Sequence, residues 1–154
     1  MSLETLFAMS NLVVMPFWAL MILLPHWSVT KRLIGSPLIV LPTALLYVGL
    51  VLPEMISLMS SLLNPTLDGI ARLLATPEAA LIAWAHFLTF DLFTGRWAYL
   101  ESRAQNFSAW LMAPVLFFTF MLGPLGFVSY LILRYAYQFV RARKRVPAPV
   151  TARG

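Results

Sequence analysis

The chain has no cysteine, only two histidines, and charged side chains at 11% of its 154 positions. Each shortage excludes something. Without cysteine there is neither a disulfide framework nor a thiolate metal site. His26 and His86 are too few for a histidine-box di-iron enzyme, and the scattered carboxylates lack ligand spacing, so no metal and no cofactor is evident. A soluble domain carries about a quarter charged residues, so the low charge argues against one. Apolar residues take their place at 60% of the chain. A soluble fold this short could not hide that much apolar surface from water, whereas lipid accepts it. The reading is an all-α, polytopic membrane protein whose nearest partners are membrane lipids. The net charge is +5, but five of the eleven basic residues (Arg141, Arg143, Lys144, Arg145 and Arg153) fall in the last fourteen. Such a basic tail beside a membrane meets anionic lipid on the cytoplasmic face, so no nucleic-acid partner is expected.

The hydrophobic runs divide the chain. Met1 to Thr5 lack a positive n-region and include Glu4, so the first run reads as a retained span and not as a cleaved signal. Leu6 to Pro25 has the ~20 uncharged residues that a crossing helix needs. Leu38 to Leu63 is interrupted at Pro53-Glu54, with a true span to about Pro53 and a continuation along the surface. Between Asn64 and Glu78, Leu67, Ile70, Leu73 and Leu74 repeat at helical spacing, with Asp68 and Arg72 four apart. That pattern predicts a short amphipathic helix, either interfacial or simply packed on the bundle. Ala79 to Phe93 is the third span. Gly95 to Ser108 is a polar connection in which Trp97 and Tyr99 suit an aromatic belt.

The last run, Ala109 to Leu133, is broken at Gly123-Pro124-Leu125-Gly126. As one kinked helix it makes four spans; as a turn it makes five. Charge asymmetry favours five, with ten basic residues on one side against one, compared with seven against four. Helix length favours four, because Ala109 to Gly123 rises only about 22 Å, and five full spans would put Arg134 deep in lipid. The expectation is therefore a four-span bundle over residues 1–140 and a basic, disordered tail over 141–154. Both termini would lie on the cytoplasmic side of a bacterial inner membrane.

Pro16, Pro42, Pro114 and Pro124 fall in the first, second and fourth spans, and the third has none. Bent helices around a straight one can leave a central cavity, although neighbours also satisfy such prolines in ordinary bundles. The straight helix holds Asp91, an acid within a span. Such a residue faces protein or water and marks either a functional site or an ion pair, here with Arg96, Arg103 or Arg134. At 100° per residue, Asp91 and His86 lie about 140° apart. They share no stripe, but could border one wide cavity from two sides. Trp84 and Thr94 stack with Asp91, and Thr89 stacks with His86. The aromatic crowd from Phe117 to Tyr137 suits a flat apolar ligand or plain lipid contact.

The order and spacing of several elements carry a resemblance. They are Met15-Pro16-Phe17-Trp18, Thr30-Lys31-Arg32, Leu45-Leu46-Tyr47-Val48, Gly69-Ile70-Ala71-Arg72, His86 followed by Asp91-Leu92-Phe93, and Pro124 with Gly126. From Leu12 to Gly126 the chain resembles the abscisic-acid-deficient-four-like family. These small membrane proteins are usually drawn with four spans and are named for the plant member needed to make the carotenoid neoxanthin. The resemblance implies a carotenoid-like polyene ligand. It also implies chemistry like the plant reaction, a neoxanthin synthase-like isomerisation of a 5,6-epoxide to an allene without net redox change. That reaction needs an acid for the epoxide oxygen and a base for a C–H proton. A carboxyl shielded from water can serve as the acid. Asp91 is the candidate acid and His86 the candidate base. Trp84, Thr89, Thr94, Arg96, Glu54 and Glu101 are candidates to line the substrate site. The alternative is a non-catalytic subunit that binds carotenoid or stabilises a larger membrane complex, with a protein partner or a second copy of the chain.

Overall fold

The computed structural model describes residues 1–144, and every regular element in them is helical. The elements are α1 (Leu3–Leu23), α2 (Ser28–Gly35), a short 3-10 turn (Pro37–Val40), α3 (Leu41–Leu63), α4 (Leu67–Leu74), α5 (Pro77–Ala104), α6 (Ala109–Leu122) and α7 (Pro124–Lys144). Local chemistry sets the starts. Ser2, Thr66 and Thr76 cap α1, α4 and α5, each side-chain oxygen accepting from the backbone N–H three residues on. Pro77 and Pro124 open α5 and α7, where a missing N–H leaves nothing unsatisfied.

Two segments, α1 and the 3-10 turn continued by α3 (Pro37–Leu63), are each long and apolar enough to cross a membrane, and α5 joins them when taken with α4. α4 meets α5 at 98° and buries no residue. It therefore lies across the end of the bundle as an amphipathic helix, with Arg72 and Asp68 paired at 2.5 Å. Large apolar side chains such as Leu12, Leu45, Ile56, Trp110 and Ile132 are exposed around the outside, which suits lipid and not water.

The central helix is α5. It runs parallel to α1: Trp84 meets Phe7 and Asn11, Gly95 lies beneath the Trp18 ring, and the Tyr99 hydroxyl donates to the Pro25 carbonyl at 2.7 Å. α5 continues through Gly95 to Ala104, a stretch expected to be a connection. Gly95 has no side chain to keep Trp18 away, so it acts as a packing seat and not as a helix stop. Among the described residues, Val14, Trp18, Leu92, Met112 and Leu116 pack as a buried core where α1, α5 and α6 meet. The prolines divide between two roles. Pro16 and Pro114 sit inside helices, while Pro42 lies in the first turn of α3 and Pro124 opens α7.

The expected kinked fourth helix is instead a helical hairpin. One continuous helix from Ala109 would carry Tyr137 roughly 40 Å away from Phe107, yet their rings are 4.4 Å apart. Tyr130 also packs on Phe107 and Trp97, and Arg134 reaches Glu101. α7 therefore doubles back along α6 and runs beside α5. Gly123 closes α6, and Gly126 comes so close to Thr119 that a Cβ at 126 would strike the Thr119 backbone. α7 continues to Lys144, and the remainder of the expected disordered tail, 145–154, lies outside the described residues.

Candidate functional site

Asp91 stands at the middle of α5, fourteen residues from its first residue and thirteen from its last. Its carboxyl group rests against Gly123, the residue between α6 and α7. A Cβ at position 123 would collide with the carboxyl oxygens, so the glycine makes the seat. The hairpin tip and the acid thus occupy one level, halfway along the central helix. Gly123 and Gly126 are both buried, while Leu122, Pro124 and Leu125 beside them are exposed.

The three arginines expected as ion partners are engaged elsewhere. Arg96 donates to the carbonyls of Ile34 (2.8 Å), Gly35 (2.6 Å) and Ser36 (3.2 Å), capping the C-terminus of α2, where a cation is favoured. Arg103 donates to the Phe107 carbonyl and to the Ser102 hydroxyl. Arg134 pairs with Glu101 at 2.8 Å, so its acid partner is Glu101 and not Asp91. Among the described residues, no ion pair involves Asp91.

The candidate base lies on another face. His86 is exposed, tilted over Phe90 at 4.7 Å and edge-on to Tyr47 of α3 at 5.4 Å. Asp91 faces the hairpin and His86 faces α3, so the structure does not bring the two together. Thr94 follows Asp91 on the same face and is half-buried. Trp84 donates from its indole nitrogen to Asn11, Thr89 returns its hydroxyl to the Ala85 carbonyl, and Glu54 is exposed on α3.

Sequence reasoning missed a crevice between α1 and α3. One cavity of about 530 Å³ is lined by Phe17, Val29, Arg32, Leu33, Ser36, Leu38, Ile39 and Pro42. A second, of about 150 Å³, is lined by Leu6, Met9, Ser10, Val13, Pro42, Thr43 and Leu46. They share Pro42 and follow one another along α1 from Phe17 to Leu6, a rise of about 16 Å. The larger cavity carries Arg32 and Ser36, and the rest of the crevice is almost wholly apolar. The run Met15-Pro16-Phe17-Trp18 was a signal for it, since Phe17 lines the crevice while Trp18 turns into the core.

The family described as ABA DEFICIENT 4-like matches residues 5–130. The chain belongs to this family. Protein ABA DEFICIENT 4, chloroplastic, from Arabidopsis thaliana is 31% identical over 112 residues, which cover 67% of this chain and 51% of the plant protein. The chain thus spans about half the length of that relative. No solved structure matches. The ABA DEFICIENT 4-like region takes in the crevice, Asp91 and both hairpin glycines, and stops short of Arg134.

Proposed function

We propose that the protein binds a long, oxygenated polyene of the carotenoid class in the crevice between α1 and α3. The observation that carries this reading is the shape and chemistry of that crevice. It is an open, largely apolar groove that runs about 16 Å along α1, with Arg32 and Ser36 at one end to receive an oxygenated ring. Membership of the ABA DEFICIENT 4-like family supports a place in the carotenoid pathway that leads to neoxanthin and abscisic acid. The test is co-purification from a carotenoid-producing bacterial host. The wild type should retain pigment. Val13→Trp, which fills the smaller cavity and so blocks the apolar end of the crevice, should lower bound pigment at least tenfold without changing the detergent melting temperature. A wild type without pigment, or a variant with an undiminished load, overturns the reading.

A second reading, catalysis, is favoured by Asp91. An acid without an ion partner at mid-helix needs a purpose. In an epoxide-to-allene isomerisation, Asp91 would give its proton to the epoxide oxygen, the C–O bond would open, and a C–H proton would leave to a base. The molecular formula is unchanged. His86 faces away from Asp91, so the base would be a different group.

The membrane topology follows the same geometry. α1, α3 and α5 cross, while α6 and α7 enter from one side, turn at mid-depth beside Asp91 and return. This arrangement removes both objections to a turn. α6 is short because it goes only halfway, and Arg134 lies about 15 Å from the Asp91 level, at the edge of the hydrocarbon. Lys31, Arg32, Arg96, Arg103, Arg134, Arg141 and Arg143 then gather toward one side and Arg72 toward the other, an asymmetry that supports an inner-side assignment for the C-terminal end of α7. Single cysteines at Glu78, Ser28 and Gln138 report this cleanly, since the chain has none of its own. An impermeant thiol reagent should reach Ser28→Cys and Gln138→Cys from one side and Glu78→Cys from the other. Gln138→Cys labelling together with Glu78→Cys would restore the kinked, full-length fourth span.

A further inference from the structure

Beyond the polyene crevice, a second pocket lies where the α1–α2 turn meets the loop between α5 and α6. It encloses about 210 Å³ and is lined by His26, Lys31, Arg103, Asn106 and Phe107. A guanidinium, a lysine amine, an imidazole and a side-chain amide line it, and among the described residues no carboxylate does. The nearby acid Glu101 is occupied by Arg134. Arg103 is held in place: its Nε donates to Ser102 and one Nη2 hydrogen to the Phe107 carbonyl, so its remaining N–H groups are oriented in advance. Asn106 has a positive φ of 57°, and that left-handed turn carries the chain from α5 toward Phe107 and leaves Asn106 on the pocket wall.

We infer that this pocket binds a phosphoryl anion, with Arg103 and Lys31 pairing to the charged oxygens and Asn106 donating to a third. Depth favours the phosphodiester of an anionic lipid as the source. Arg103 is twelve residues beyond Asp91, about 18 Å along α5. If Asp91 marks mid-bilayer, the pocket lies outside the ~15 Å hydrocarbon half-thickness and within the headgroup layer. A basic pocket between helices on the positive side is the setting in which anionic headgroups are held. The depth argument rests on the proposed crossing of α5, whereas the charge and geometry of the pocket do not.

Native mass spectrometry of the detergent-purified full chain tests this with three probes: phosphatidylglycerol, phosphatidylcholine and inorganic phosphate. The expected result is one retained phosphatidylglycerol, bound at least tenfold more tightly than phosphatidylcholine. Lys31→Glu, at an exposed position, should weaken it at least tenfold. Arg141→Glu, an equal charge change on the exposed face of α7, should weaken it less than twofold. Inorganic phosphate bound with the same dependence on Lys31 would keep the site and make the free anion its ligand. Equal losses in Lys31→Glu and Arg141→Glu would reduce the effect to diffuse surface attraction and overturn the pocket. So would the absence of any preference for phosphatidylglycerol or phosphate. Each outcome is read in detergent, so a failed sidedness test of α5 leaves the pocket separately judged.

Discussion

Asp91→Asn is expected to fold normally while any carotenoid conversion falls by roughly 10²-fold or more, the range for loss of a positioned proton donor. The reasoning starts from the expense of a carboxyl at mid-helix in lipid. Had it been one half of a buried ion pair, asparagine would strand a cation and destabilise the protein by about 3–5 kcal/mol. The arginines are committed elsewhere: Arg96 to the end of α2, Arg103 to Phe107 and Ser102, and Arg134 to Glu101. Asparagine has nearly the same shape and fits the same seat against Gly123, so what is lost is the transferable proton. Detergent melting and pigment chromatography should be run on the same preparation. Unchanged conversion would remove Asp91 from the chemistry and leave the binding reading alone. A large fall in melting temperature would mean that the carboxyl has a structural partner.

Gly126→Ala should destabilise the protein by about 3 kcal/mol, the upper end for a group forced into a packed site, and Gly126→Val should keep it from accumulating in membranes. The added Cβ would meet the backbone nitrogen and Cα of Thr119 as well as its hydroxyl, and backbone cannot swing aside as a flexible side chain can. α6 and α7 would have to part, loosening Tyr130 from Phe107 and Trp97. Gly49→Ala is the control. That glycine sits on α3 with nothing within 4 Å of the new Cβ, so alanine there should stabilise the helix by up to about 1 kcal/mol. The readouts are the amount in the membrane fraction and the melting temperature. If the two alanine variants behave alike, the backbones do not meet at Gly126 and the hairpin is wrong.

The hydropathy of the chain determined that it is a helical membrane protein, because an apolar run long enough to cross needs no tertiary information to be recognised. Side-chain caps mark the starts of α1, α4 and α5, and the period of Leu67, Ile70, Leu73 and Leu74 determined α4. The separation of Asp91 from His86 was equally legible, since 140° on one helix cannot be undone by packing. The charge count also pointed to a turn at Gly123-Pro124, while helix length opposed it. That conflict arose from the assumption that each helix crosses completely. Only the tertiary structure decided it, because Gly-Pro-x-Gly permits both a kink and a reversal. The choice depends on distant partners: Thr119 against Gly126, Phe107 against Tyr137, and Glu101 against Arg134. Tertiary contact likewise decided that Gly95 continues a helix, because the Trp18 ring packs on it from another helix. The crevice belongs to the same class. Its walls come from three successive helices, α1, α2 and α3, whose relative placement no single period encodes, and empty space between helices leaves no pattern along any one of them.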